Sequence, residues 1–142
     1  KLPNIHFLGA KPAAELAAYV QHFDVCLNPQ LVNPLTVGNY PRKIDEYLAL
    51  GKPVVATRTE AMGVFAQHTY LAESKEDYLT LIEWALAENT PSRQQQRRAF
   101  AATHTWENSV VRIYAAIAAH YAGRATSRPA PLALTPELAP SL

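Results

Sequence analysis

The run Pro41-Arg42-Lys43-Ile44-Asp45-Glu46-Tyr47-Leu48-Ala49-Leu50-Gly51-Lys52-Pro53-Val54-Val55 carries its own start and stop signals. Pro41 fits the first turn of a helix, where a missing N–H costs nothing, and Gly51 fits the left-handed residue that closes one. Between them Ile44, Tyr47 and Leu48 recur at steps of three and one, so one face of a short helix turns to a core. Residues 53–57, Pro-Val-Val-Ala-Thr, follow as a continuous apolar run, the mark of a strand buried on both faces of a parallel sheet. A helix that feeds such a strand is half of a parallel α/β unit.

Upstream, residues 24–28 read as a second buried strand and residues 12–22 as a helix with Ala13, Leu16, Ala17 and Val20 on one face. Residues 4–8 read as a short strand ending at Gly9. Between Pro29 and Tyr40 no period is evident, and a loop of that length usually has a job. Downstream, residues 69–71 form a further candidate strand. Ser74 is placed to cap a helix over residues 75–88, with Asp77 at the capping-box position and Tyr78, Ile82 and Ala85 facing inward. Thr90 followed by Pro91 opens another helix. Trp106, Val110, Ile113, Tyr114, Ile117 and Tyr121 then recur at steps of three and four, the clearest amphipathic helix in the chain. Trp84 and Trp106 lie in helical stripes and are expected in the core. Strands alternating with helices indicate α/β architecture with a parallel sheet. The folded part is expected over residues 1–122, and the Pro-rich residues 123–142, with little to bury, read as a flexible tail.

A chain of 142 residues with a net charge of +1 is one domain's worth of polypeptide with no broad basic field. Electrostatics alone would therefore hold neither nucleic acid nor an anionic membrane surface. Arg93, Arg97 and Arg98, the densest basic cluster, read as a solvated helix face. Cys26 sits within an apolar run as a small buried hydrophobe, which fits a reduced compartment. No apolar stretch is long enough to span a membrane as a helix, and no signal-peptide pattern opens the sequence. His6, His22, His68, His104 and His120 are dispersed without metal-ligand spacing, so no metal or cofactor is called for. Glu60 and His68 flank the loop after residues 53–57 and read as plain loop residues.

In a parallel α/β sheet, ligands gather beyond the carboxyl ends of the strands, which places residues 28–43 at such an end. A helix beginning at Pro41 presents the N–H groups of Arg42 and Lys43 at its positive end, an arrangement that suits a phosphate. The two cations oppose the helix dipole by a few tenths of a kcal/mol each, roughly, unless an anion lies nearby. The bland alternative pairs Arg42 with Glu46 one turn on and leaves Lys43 merely solvated. Glu46 can aim two oxygens at a vicinal diol, while Asp45 points about 100° away. Periodicity does not choose between a ligand-binding Glu46 and a solvent-exposed one.

Residues 41–57 resemble the P-x-K-x-x-E-Y-L-A-x-G-K-P-V-V-A-T segment in the C-terminal lobe of GT-B glycosyltransferases, especially the large retaining family that includes many bacterial polysaccharide enzymes. Asn4-Ile5-His6-Phe7-Leu8-Gly9 resembles that lobe's N-V-x-F-L-G strand. Leu16-Ala17-Ala18-Tyr19, followed by Asp24-Val25 and Pro29, is similar to its L-x-x-Y and D-V-x-x-x-P unit, and Thr105-Trp106-Glu107 to its S-W-E. Together these pieces cover roughly residues 4–121, in order.

The resemblance implies a Rossmann-like sheet flanked by helices, the incomplete C-terminal lobe of a GT-B fold. It further implies binding of a nucleoside-diphosphate sugar and glycosyl transfer to a saccharide or lipid-linked acceptor, with an N-terminal acceptor-binding lobe in the longer protein. Glu46 would hold the ribose; Asn39, Tyr40, Arg42 and Lys43 the diphosphate; Gly9 and Lys11 would lie near the base. Position 38, where the family often has a sugar-contacting glutamate, is Gly38, which leaves Asn33 and Thr36 as candidates to touch the sugar. The catalytic residue is not identified by this pattern. The pattern starts partway into the lobe, so the isolated chain is expected to be inactive and open to self-association through an uncovered sheet surface. A cytoplasmic location, at the inner face of the membrane for the full-length protein, is the corresponding expectation. The rival readings are a noncatalytic flavodoxin-like interaction module, against which Asp24 stands without an acidic cluster, and a GT-B sugar-nucleotide epimerase.

Overall fold

A computed structural model of the chain describes residues 2–126. Three strands, β1 (Cys26–Asn28), β2 (Val54–Thr57) and β3 (Tyr70–Ala72), pair in parallel in that order. Around them run α1 (Ala13–Val20), α2 (Lys43–Ala49), a 3-10 stretch (Ala61–Phe65), α3 (Asp77–Ala87) and α4 (Pro91–Ala101). A last helix, α5 (Trp106–Thr126), belongs to a second compact unit, Trp106–Leu142; the sheet lies wholly in the first, Lys1–Thr105. The first unit is the α/β arrangement, strands in parallel with helices flanking them, that the sequence implies.

Register sets Cys26 opposite Val54, Asn28 opposite Ala56, and Val55 opposite Tyr70. Side chains alternate between the faces of a sheet. Cys26, Val54 and Ala56 therefore join Ile44 and Leu48 of α2, Met62 and Phe65 of the 3-10 stretch, and Ala101 of α4 in one core cluster. Thr57 turns to the other side, where its hydroxyl meets that of Tyr78 on α3 at 2.8 Å. Val54, Val55 and Ala56 are all fully buried, as a strand covered on both faces requires. Burial pushes the Cys26 thiol up to about 11, so it packs as a neutral hydrophobe.

Local signals set the element ends. Gly51 adopts φ 75°, its N–H donates to Leu48 O at 2.8 Å and the Lys52 N–H to Tyr47 O at 3.0 Å, the paired bonds of a Schellman cap. The Asp77 N–H donates to Ser74 Oγ at 3.2 Å and the Ser74 N–H returns to Asp77 Oδ2 at 2.9 Å, closing the reciprocal box ahead of α3. Thr90 Oγ1 accepts from the Arg93 N–H at 3.3 Å, with Pro91 at the start of α4.

Several expectations are corrected. Residues 4–8 form no strand and pair with no strand among the described residues; Phe7 is 86% exposed. A strand exists only with a neighbour to accept its ladder, and apolar composition does not supply one. α1 forms but buries none of its residues, with Val20 alone packed against the core cluster. Arg97 is buried, not solvated: its Nη1 donates to Gly51 O at 3.3 Å and to Asn89 Oδ1 at 2.9 Å, while Arg98 Nη2 donates to Leu50 O at 3.4 Å. The two arginines satisfy carbonyls at the end of α2 that the helix itself leaves open. Trp84 and Trp106 are exposed rather than in the core. Ala85 takes the inward position on α3, and Trp84, one residue round the helix, lies at a cavity rim. α5 continues to Thr126, past the boundary expected at Gly123; residues 127–142 of the expected tail lie outside the described residues.

Candidate functional site

The start of α2 divides its polar side chains between two faces. Ile44 and Leu48 anchor the helix in the core, which fixes where its other residues point. On one side, Tyr40 OH donates to Asp45 Oδ2 at 2.7 Å, and His104 Nδ1 lies 2.9 Å from Asp45 Oδ1 and 3.2 Å from the Tyr40 hydroxyl. Aromatic rings close over this group: Phe65 packs against Tyr40, Phe100 and His104, with centroids 5.2, 6.1 and 6.0 Å apart. Burial first, and then the hydrogen bond to Asp45, push the Tyr40 phenol well above its ordinary value. On the other side, Lys43 and Glu46 are exposed, and neither forms an ion pair or side-chain hydrogen bond among the described residues. Arg42 is also exposed, and it lies close enough to act electrostatically on Tyr40.

The structure thus brings Arg42, Lys43 and Glu46 together within the first turn of α2, with Tyr40 beside them but its hydroxyl engaged. Asn33 and Thr36 serve their own loop: Asn33 Oδ1 accepts from the N–H groups of Leu35 and Thr36 at 2.9 and 3.1 Å, and Thr36 Oγ1 accepts from the Asn33 N–H at 3.0 Å. The Thr36 hydroxyl also donates to Leu31 O, and the Asn39 N–H to Thr36 O at 3.1 Å. This self-bonded turn holds the segment between β1 and α2 in shape. Gly9, at φ 71°, and Lys11, whose ammonium lies 5.2 Å from the centre of the Tyr19 ring, belong to the N-terminal segment, and among the described residues no hydrogen bond joins them to α2.

A cavity of about 560 Å³ opens at the carboxyl ends of the three strands, lined among others by Gln30, Leu31, Thr57, Glu73, Lys75 and Tyr78. Thr57 Oγ1 accepts from the Gln30 N–H at 3.0 Å, and Tyr78 OH reaches Asn28 O at 3.4 Å. Asn28 Nδ2 and Gln30 Nε2 are buried without a hydrogen-bond partner. A buried amide donor left unmatched costs about 1–3 kcal/mol, so each calls for an acceptor. Sequence reasoning missed Asn28, Gln30, Thr57 and Tyr78. Their signal was a polar residue at the carboxyl ends of β1 and β2, Gln30 two residues further on, and one phenol inside the inward stripe of α3. No cluster of three His, Cys, Asp or Glu side chains able to hold a metal occurs among the described residues, and no described helix is long and apolar enough to cross a membrane.

Residues 1–88 match the model of the family described as glycosyl transferases group 1. The chain belongs to that family. Among curated proteins it is similar to TuaH of Bacillus subtilis (strain 168), a protein named as a putative teichuronic acid biosynthesis glycosyltransferase. The two are 30% identical over 112 residues, covering 75% of this chain and 28% of TuaH. The chain therefore spans under a third of that relative's length. No solved structure matches it.

Proposed function

We propose that this chain supplies part of the donor-binding surface of a glycosyltransferase that uses a nucleoside-diphosphate sugar. The observation that carries the reading is the exposed Lys43 and Glu46 on one turn of α2, in a chain of the group 1 family, while the neighbouring Asp45 is consumed internally. Glu46 accepts hydrogen bonds from the ribose diol, and Arg42 and Lys43 neutralise the diphosphate, whose departure is the step that needs negative charge stabilised. Asn39 and Tyr40 complete the diphosphate side. Gly9 and Lys11 lie near the base, and Asn33 and Thr36 shape the loop next to the donor sugar. The cavity at the strand ends, lined by Gln30 with its unmatched amide and by Thr57, Lys75 and Tyr78, supplies further polar groups for an oxygen-rich ligand.

The acceptor, a saccharide or a lipid-linked glycan, binds outside residues 1–142, on an N-terminal lobe of the longer protein. This chain by itself binds donor without turning it over. The longer protein works on the cytoplasmic side, at the inner face of the membrane. Ile5, Phe7 and Leu8, all exposed, are where the isolated chain would self-associate, and sedimentation velocity at increasing concentration tests that. Calorimetric titration with UDP, GDP, ADP and dTDP tests the donor site. Saturable binding by one of them supports the reading, and binding by none in the full-length protein removes it.

A further inference from the structure

A second cavity, of about 370 Å³, runs along the free edge of β3 between the residues that precede it and the helices α3 and α4, and shares no lining residue with the first. Arg58, His68, Tyr70, Trp84, Arg93 and Arg97 line it, together with Glu88. Arg58 is paired with Glu73 at 2.9 Å, which leaves Arg93 and Arg97 to share Glu88. Arg93 and Arg97 sit one turn apart on α4 and turn the same way. Arg97 is 3% exposed and already held in place by Gly51 O and Asn89 Oδ1, so its charge is fixed in position. Arg93 approaches Glu88 only at 3.7 Å, longer than a hydrogen bond, and Glu88 also accepts from Tyr70 OH at 2.9 Å.

The electrostatic consequences are visible on the neighbours. Burial, reinforced by Arg97 and Arg93, lowers the His68 pKa, and burial lowers that of Arg97, where the repulsion from Arg93 is opposed by Tyr70 and Glu88. Cations that disfavour one another's charge in a confined space are stabilised by an anion placed among them. The cavity also has an apolar part: Trp84, 54% exposed on α3, lines it together with Leu81.

We propose that this cavity is a second ligand site, separate from the donor surface, which takes a small organic phosphate with its phosphate against Arg93 and Arg97 and its carbon body against Trp84. Guanidinium groups match phosphate oxygens with paired N–H donors, and an indole face suits the C–H surface of a sugar or other compact body. Such a ligand would bridge α3, α4 and β3, and through Arg97 and its bond to Gly51 O it would touch the end of α2, the helix that carries Lys43 and Glu46.

The test is titration of the intact chain with glucose 1-phosphate at constant ionic strength, followed by calorimetry and tryptophan fluorescence, with inorganic phosphate and glucose as separate arms. The site predicts saturable binding of glucose 1-phosphate, tighter than inorganic phosphate, with none for glucose. Arg93→Gln, at a half-exposed position that leaves the fold intact by circular dichroism, weakens it by about tenfold. Arg58→Gln weakens it less, and Lys43→Gln leaves it unchanged. Absence of saturable binding by either phosphate overturns the proposal, as does loss on Lys43→Gln with none on Arg93→Gln, which would put the phosphate at α2. Equal affinity for inorganic phosphate overturns the role given to Trp84. UDP binding measured on the same samples reports separately on the donor site.

Discussion

Asp45 and Glu46 are adjacent carboxylates on one short helix, and the fold treats them oppositely. Asp45 is drawn into a hydrogen-bonded group with Tyr40 and His104 beneath a cover of aromatic rings. Glu46 and Lys43 stand in solvent without a side-chain partner among the described residues. The rotation between successive helical residues is enough to send one acid to structure and leave the next in solvent. A charged residue whose hydrogen-bonding capacity the protein itself consumes is a poor candidate for binding. One left open on a helix that its other face holds rigidly is a better one. The closed face thus serves the open face: Ile44, Leu48 and the aromatic cover fix the helix on which Glu46 is displayed.

The contrast breaks most severely at the cover. Phe65 is fully buried and touches Tyr40, Phe100 and His104, so Phe65→Ala is expected to cost about 3–5 kcal/mol in a urea unfolding curve. Asp45→Ala removes the acceptor shared by the Tyr40 hydroxyl and His104. A loss of about 1–3 kcal/mol should follow from the polar groups left unmatched, whereas Glu46→Ala changes stability by less than about 0.5 kcal/mol. Equal losses at the two positions would erase the distinction between the faces. At the far end of α2, Gly51→Ala forces a side chain into φ 75° and brings Cβ to 2.9 Å from Arg98 Cζ; about 1–2 kcal/mol of destabilisation is expected from the backbone, visible as a lowered melting temperature.

The smallest effect concerns Asp77. Hydrogen bonds from the Glu73 and Ser74 N–H groups hold its carboxyl below the ordinary value of 3.8. A carboxyl depressed in the folded state adds stability that is fully present above 3.8 and is lost as pH falls from there through the lower folded value. Asp77→Asn should therefore lower the melting temperature slightly at neutral pH, leave it nearly unchanged at the acid end, and so flatten the acid limb of the profile. An unchanged acid limb would remove the box from the account of how α3 starts.

Features set by neighbours in sequence are legible in the amino-acid order itself. The Gly51 cap, the Ser74 and Asp77 box, the Thr90 and Pro91 start of α4, and the inward face of Ile44, Tyr47 and Leu48 all follow from a few consecutive residues. What stays hidden depends on residues far away. Residues 4–8 have the composition of a strand without a ladder partner, and Arg97 is buried because α4 happens to cross carbonyls at the end of α2. Trp84 fits a core stripe, but the space beneath it is a cavity. Of the site, the run containing Lys43 and Glu46 can be read from its pattern, whereas the pairing of Asp45 with His104, separated by 59 residues, cannot. The Asn28 and Gln30 amides escape a reading by pattern because only packing shows which polar atoms are buried unmatched.

The central claim is that Glu46 is left open to hold the ribose of a nucleotide donor. Titrating UDP, GDP, ADP and dTDP into the chain and into its Glu46→Ala and Asp45→Ala variants tests it most directly. The expected result is that one nucleotide binds saturably, that Glu46→Ala weakens it by about tenfold or more with the melting temperature unchanged, and that Asp45→Ala lowers stability first. Nucleotide binding that is indifferent to Glu46→Ala would contradict it.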